Sequence, residues 1–470
     1  MTTTHALDKP LWQPVLFGAL AGGMAWGIRG QYGHETGAMI AGLLVGLALA
    51  LIFVPHANCL FVARAVALCT VAIGFGGSET YGQTVGLTHN PAMVGNGSAL
   101  AWGMTGLAIK GAVWIGFAGA FLGMGLGGRR YGPCEMLLVM LGALGLFALG
   151  VWVLNQPFDP ANRMLPRIYF SADWYWEPDA TALKPRREVW GGLLAALIGV
   201  LVYTRWRGDA LAPRLGLWGV LGGALGFPLG QSVQAFHAWN RDLFRAVDPL
   251  VNWWNVMETT FGAVMGATLG LGLWLNRWRI VVARAEPPSP LLPIAGAVLL
   301  AVHIALLIGS EFDLMPRLGW YTEYGLLLGL IPAVAVTGGR LWPYLLILPI
   351  TAIPIAGKTV RQLVYREPEV AVGTGWLIYV TLPLAVTTAV ALAFARPASR
   401  SRDARPFLRS CLLLTTWLYF GLNFAFFRFP WPWNAWTSRT PNAIVYTICA
   451  LGLTALCTFD TANRPSEPEA

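Results

Sequence analysis

Fourteen apolar runs follow one another along this chain, at 11–29, 37–54, 59–77, 98–126, 134–154, 189–204, 214–231, 257–275, 291–309, 323–338, 341–356, 371–395, 407–427 and 443–459. Each is long enough, or nearly so, to cross a bilayer as a helix, which takes about 20 residues. Lipid offers no partner to backbone N–H and C=O groups, so such segments must satisfy them internally, as helices do. The expected fold is therefore all-α, a polytopic transmembrane helix bundle of about twelve to fourteen spans. The runs 323–338 and 341–356 are the shortest and the weakest of the set.

Composition excludes the soluble alternative. Only 12% of the residues are charged, about half the share of a water-soluble domain, and 56% are hydrophobic. The net charge of +9 does not point to nucleic acid, because Arg and Lys are scattered at the ends of apolar runs. The six cysteines form no CxxC pair and read as small apolar residues. No cleavable signal peptide is visible: the first apolar run ends in a polar, Gly-rich motif. One integral membrane domain is expected over 1–459, with 460–470 as a disordered tail.

On a fourteen-span count both termini share one side. The loops and termini of that side carry sixteen basic against eight acidic residues, and the opposite side fourteen against fifteen. Positive-inside counting places both termini in the cytoplasm of an inner-membrane protein, although Lys358, Arg361 and Arg366 in the 358–366 loop fall on the opposing side.

An internal repeat is visible. Leu16–Gln31 aligns with Leu217–Gln231, matching Gly18 to Gly219, Gly30 to Gly230 and Gln31 to Gln231. The match resumes at Glu35-Thr36 and Glu258-Thr259, with about 22 further residues in the second copy. Two halves, about 11–204 and 214–459, are expected to form a parallel repeat about an axis along the membrane normal.

Polar chemistry gathers at the ends of spans on one face. Arg29, Gln31, His34 and Glu35 lie in a Gly-rich segment between two runs, where backbone can bend sharply and approach a ligand. Glu79, Tyr81 and Gln83 form a second such segment, and Gln231 and Glu258 belong to the second repeat copy. Ionisable groups at such depth are costly and usually functional. The plainer alternative is that Glu35, Glu79 and Glu258 each cap a helix. Lys110 interrupts the run 98–126 near its middle, so it needs an acidic partner or a cavity. Aromatic residues at the same face (Trp174–Trp176, Trp239, Trp253, Trp254, Trp320, Trp431, Trp433 and Trp436) read either as an interfacial belt or as stacking residues over an outward site.

No P-loop, GxGxxG, HExxH or GxSxG motif is present, so neither a cofactor nor a metal is expected. Whether the chain is an enzyme stays open at this point. The first expectation is an ion- or proton-coupled secondary transporter of a small polar or anionic solute, with the lipid bilayer and H⁺ or Na⁺ as partners. Its ten candidate ligands are the residues from Arg29 to Glu258 named above. The second is a membrane-embedded transferase or hydrolase with an outward site for a carbohydrate or lipid-linked substrate. The third is a structural subunit of a larger complex.

Overall fold

The computed structural model describes residues 9–79, 81–281, 291–400, 403–427 and 435–459. The expected tail, 460–470, and Trp431 and Trp433 lie outside them. The protein is 77% helix, with no strand among the described residues. The principal helices in chain order are α1 (Trp12–Arg29), α2 (Met39–Phe53), α3 (Cys59–Ile73), the short α4 (Gly82–His89), α5 (Gly97–Leu126), α6 (Pro133–Leu154), α7 (Trp190–Trp206), α8 (Ala212–Trp239) and α9 (Trp253–Leu275). They continue with α10 (Pro293–Glu311), α11 (Gly325–Gly338), α12 (Trp342–Arg366), α13 (Val372–Ala395), α14 (Arg405–Phe427) and α15 (Thr440–Phe459).

Among the described residues, nine helices are long and apolar enough to cross a membrane: α3 with its 3₁₀ extension to Ser78, α5, α6, α9, α10, and α12 to α15. Three shorter ones, α2, α7 and α11, are also apolar. Apolar side chains point outward on the rim, where Leu138, Trp152 and Ile294 are 70%, 71% and 80% exposed. A water-facing surface would not carry so many, so these faces suit lipid. By contrast α3, α5 and α12 are largely buried inside the bundle.

Glycine lets the central helices touch. A Cβ at Gly18 or Gly22 of α1 would run into the backbone carbonyls of Gly266 or Gly262 of α9. Such contact is how helices associate in lipid, where no hydrophobic force drives them together. The starts of α3, α5 and α9 are set by asparagine caps, with Asn58, Asn96 and Asn252 accepting from backbone N–H groups in the first turn.

One sequence expectation is corrected here. The run 341–356 does not end in a 358–366 loop. Pro349 and Pro354 remove two backbone donors, yet the helix continues past both, widening into a π-turn at Leu346–Ile350 around Pro349, running as α-helix through Pro354 and widening again at Arg361–Arg366. Thr351 and Thr359 turn their hydroxyls onto the Leu346 and Ile355 carbonyls of the same helix. Lys358 is therefore a residue of α12, and Lys110 is not the only lysine inside an apolar helix.

Candidate functional site

Arg29 ends α1 and is fully buried. A guanidinium without water must be paired, and this one is. Its Nη2 donates to Glu258 Oε1 and to the Tyr81 hydroxyl, each at 3.2 Å. Tyr81 in turn donates to the same Glu258 oxygen at 3.3 Å. The guanidinium lies 4.3 Å from the Trp26 ring centroid and 5.3 Å from that of Trp114, contacts that strengthen when desolvated. Trp254 stacks on Tyr81 at 6.1 Å from the other side. Gly30 makes room, since a Cβ there would meet the Glu258 carboxylate.

Arg29 Nη1 lies 3.0 Å from His34 Nδ1. Arginine can only donate, so Nδ1 is the acceptor and the ring proton of neutral His34 sits on Nε2. His34 is the exposed member of this otherwise buried group, the point where it reaches the surface. Crowding by protein atoms, then the positive charges of Arg29, Lys358 and Arg186, hold its pKa below the usual histidine value. Glu35, beside it, is partly exposed and accepts from its own backbone N–H. Crowding raises its carboxyl above the usual range.

Two lysine pairs flank this centre. Lys110 Nζ is 2.7 Å from Glu188 Oε1 and 2.9 Å from Thr84 Oγ1, and both ends of the ion pair are fully buried. The Glu188 carboxylate also accepts from Ser171 Oγ and from the Phe170 N–H. Lys358 Nζ is 2.8 Å from Glu311 Oε2 and 3.0 Å from Thr36 Oγ1, and Thr36 donates to Glu311 Oε1 at 2.7 Å. The two arrangements match in kind: a lysine, a glutamate and a threonine hydroxyl.

The segments 29–36 and 254–258 do converge with Gly77 and Tyr81. Arg29, Tyr81 and Glu258 bond to one another, and a Cβ at Gly77 would strike the backbone of His34 and Glu35. Each carboxylate nevertheless has its own electrostatic neighbours: Arg29 for Glu258, Lys358 for Glu35 and Lys110 for Glu79. Helix capping does not describe Glu79 or Glu258. Glu258 lies within α9, whose cap is Asn252, and both Glu79 oxygens are buried without a hydrogen-bond partner among the described residues.

The remaining candidates sit apart from the Arg29 centre. Gln83 clasps the backbone at Lys184 and Arg186. Gln231 donates to Thr88 Oγ1, tying α8 to α4. Gln31 is half-buried at the end of α1. Several of the candidate aromatics fasten neighbouring segments: Trp239 donates to the Thr88 carbonyl, Trp253 to Asp248 and Trp436 to the Leu250 carbonyl. Sequence reasoning missed Glu188, Glu311 and Lys358 as members. The available signal was a charged residue directly abutting an apolar run, as at Glu188-Val189-Trp190.

No protein-family model, no curated protein and no solved structure matches this chain.

Proposed function

We propose that this chain is a proton- or ion-coupled secondary carrier of a small anionic solute in the inner membrane. The observation that carries the reading is a buried carboxylate beyond those paired with cations, near an exposed histidine in a positive field. Among the described residues Arg29, Lys110 and Lys358 pair with Glu258, Glu188 and Glu311, Arg439 adds positive charge near Glu258, Glu35 is partly exposed, and Glu79 is buried with no hydrogen-bond partner for either oxygen. A carboxylate so placed in low dielectric favours a proton or a bound cation, which is what coupling needs. Arg29, Lys358 and Arg186 bias the surface at His34 towards an anion, and its Nε2–H is a ready donor.

The second reading, a transferase or hydrolase, needs His34 as general base. Its one ring lone pair already accepts from Arg29, which counts against that role. Fourteen spans, cytoplasmic termini and a parallel repeat belong to the carrier reading. The repeat rests on the sequence match alone, since the matched glycines have different neighbours: Gly18 of α1 meets α9 and Gly219 of α8 meets α5. The aligned glutamates differ in role, since Glu258 pairs with arginine and Glu35 does not.

The test is reconstitution of the purified chain into liposomes holding a pH-sensitive dye, with small carboxylates, phosphate and sulfonates supplied outside. One class of anion is expected to acidify the lumen, and Arg29→Gln to abolish the signal. If no anion moves protons or Na⁺ while the protein is folded, the carrier reading is wrong.

A further inference from the structure

Glu79 is a buried carboxylate left without hydrogen-bond donors in the described part of the molecule. Its side chain is 1% exposed, and neither carboxylate oxygen has a hydrogen-bond partner among the described residues. A buried carboxylate deprived of donors strongly favours its neutral form. The charged groups that act on it are Lys110 of α5 and Glu188 at the mouth of α7. Around them stand two hydroxyls, Thr84 and Ser171, 3.3 Å apart, which bond to Lys110 and Glu188 respectively. With Lys110 an ammonium, the two carboxylates leave the triad one negative charge in excess.

From this arrangement we infer that Glu79, Lys110 and Glu188 form a binding site for a single proton, carried on a Glu79 oxygen, and that H⁺ rather than Na⁺ is the coupling ion. This deepens the carrier reading and rests on it for the word coupling; the proton site itself does not. Release breaks the Glu79 O–H bond, leaves the electron pair on the carboxylate and passes the proton to water. Lys110 turns from Glu188 towards the new charge. A sodium ion fits poorly, because it needs several oxygen ligands at once, and the Thr84, Ser171 and Glu188 oxygens beside Glu79 are already engaged with one another, with Lys110 and with the Phe170 N–H. Burial pushes the Glu79 carboxyl up to about 8, with Lys110 opposing and Glu188 adding to the shift.

The experiment is infrared difference spectroscopy of the purified full chain in lipid nanodiscs, titrated with acid and base at fixed ionic strength. A protonated-carboxyl band is expected at neutral pH, disappearing at alkaline pH; in a Glu35→Gln background, which removes the contribution of the other raised carboxyl, Glu79→Gln should take away the Glu79 component. Glu188→Gln is the second variant, because it does not depend on Glu79→Gln folding well. It removes the charge that competes for Lys110, so the band should titrate at lower pH, and a merely structural glutamate would not move it. An unchanged band in Glu79→Gln, an unmoved titration in Glu188→Gln, or loss of the band on adding Na⁺ at constant pH would each overturn the inference. Liposome assays separate the two levels. If the band behaves as expected but no solute moves protons, the proton site stands and the carrier reading falls. If protons move normally in Glu79→Gln, the carrier stands and this site does not.

Discussion

Arg29 at the end of α1 and Glu258 early in α9 form a buried ion pair at 3.2 Å, joining residues 229 positions apart. Desolvating both charges is costly, and their attraction with Tyr81's hydrogen bond offsets that cost only while both partners are present. Arg29→Leu alone should therefore destabilise by about 3–5 kcal/mol by leaving Glu258 buried and unpaired. The double change Arg29→Leu with Glu258→Leu should recover most of that loss. Thermal unfolding of the detergent-solubilised variants measures both. Equal destabilisation by single and double changes would mean that the pair does not couple.

Gly30 has a φ of −51°, which any residue adopts, so only space forbids a side chain there. The obstacle is the Glu258 carboxylate, whose Cδ would lie 2.9 Å from an added Cβ. Gly30→Ala is expected to lower stability by about 1–3 kcal/mol through overpacking, and to cost less when made in a Glu258→Ala background, where the obstructing carboxylate is gone. Gly142→Ala, on the exposed side of α6 with nothing within 4 Å, should be neutral or stabilising by up to about 1 kcal/mol. A melting series on these variants and the Glu258→Ala background decides this.

The sequence placed the right segments together but not the right pairs. Arg29, His34, Tyr81 and Glu258 are legible because each is polar where an apolar run starts or stops. Lys110's need for an acidic partner follows from its position in mid-run. Its partner was hidden, because Glu188 ends a long polar loop and looks like surface from its neighbours Arg186 and Arg187. Lys358 was misread for a backbone reason: Pro354 and Gly357 look like a helix end, and nothing in a hydropathy pattern announces that the helix runs through them to Val360 and on into a π-turn at Arg361–Arg366. The hydroxyls beside each pair, Thr36 between Lys358 and Glu311 and the linked Thr84 and Ser171 beside Lys110 and Glu188, are invisible to any one-dimensional reading.

Stability should depend on pH through Glu79. At and below about pH 4.5 the folded and unfolded chains both hold this proton. Between there and about 8 only the unfolded chain releases it, because burial holds the folded carboxyl protonated. Folding thus weakens with rising pH over that window, by at most about 1.4 kcal/mol per unit, and levels off above it. Glu35 acts in the same direction. The melting temperature is expected to fall from about pH 5 to about pH 8, and less steeply in Glu79→Gln. A rise in wild-type melting temperature over this window would contradict the burial of a neutral Glu79.

The two lysine pairs differ in how much water reaches them, and that difference sets the last prediction. Lys110 and Glu188 are both fully buried, whereas the Lys358 side chain is 18% exposed and that of Glu311 4%. Lys110→Met leaves Glu188 charged in a dry site, where an orphaned partner of a buried pair costs about 3–5 kcal/mol. Glu188 keeps its bonds from Ser171 and the Phe170 N–H, which hold the loss towards the lower end of that range. Lys358→Met leaves Glu311 with the Thr36 hydroxyl and some access to solvent through the gap the lysine vacates, so the loss should be smaller, nearer the 1–3 kcal/mol of an unsatisfied polar group. Denaturation of both variants beside wild type gives the comparison. A larger loss for Lys358→Met would mean that α12 depends on this lysine for more than pairing Glu311.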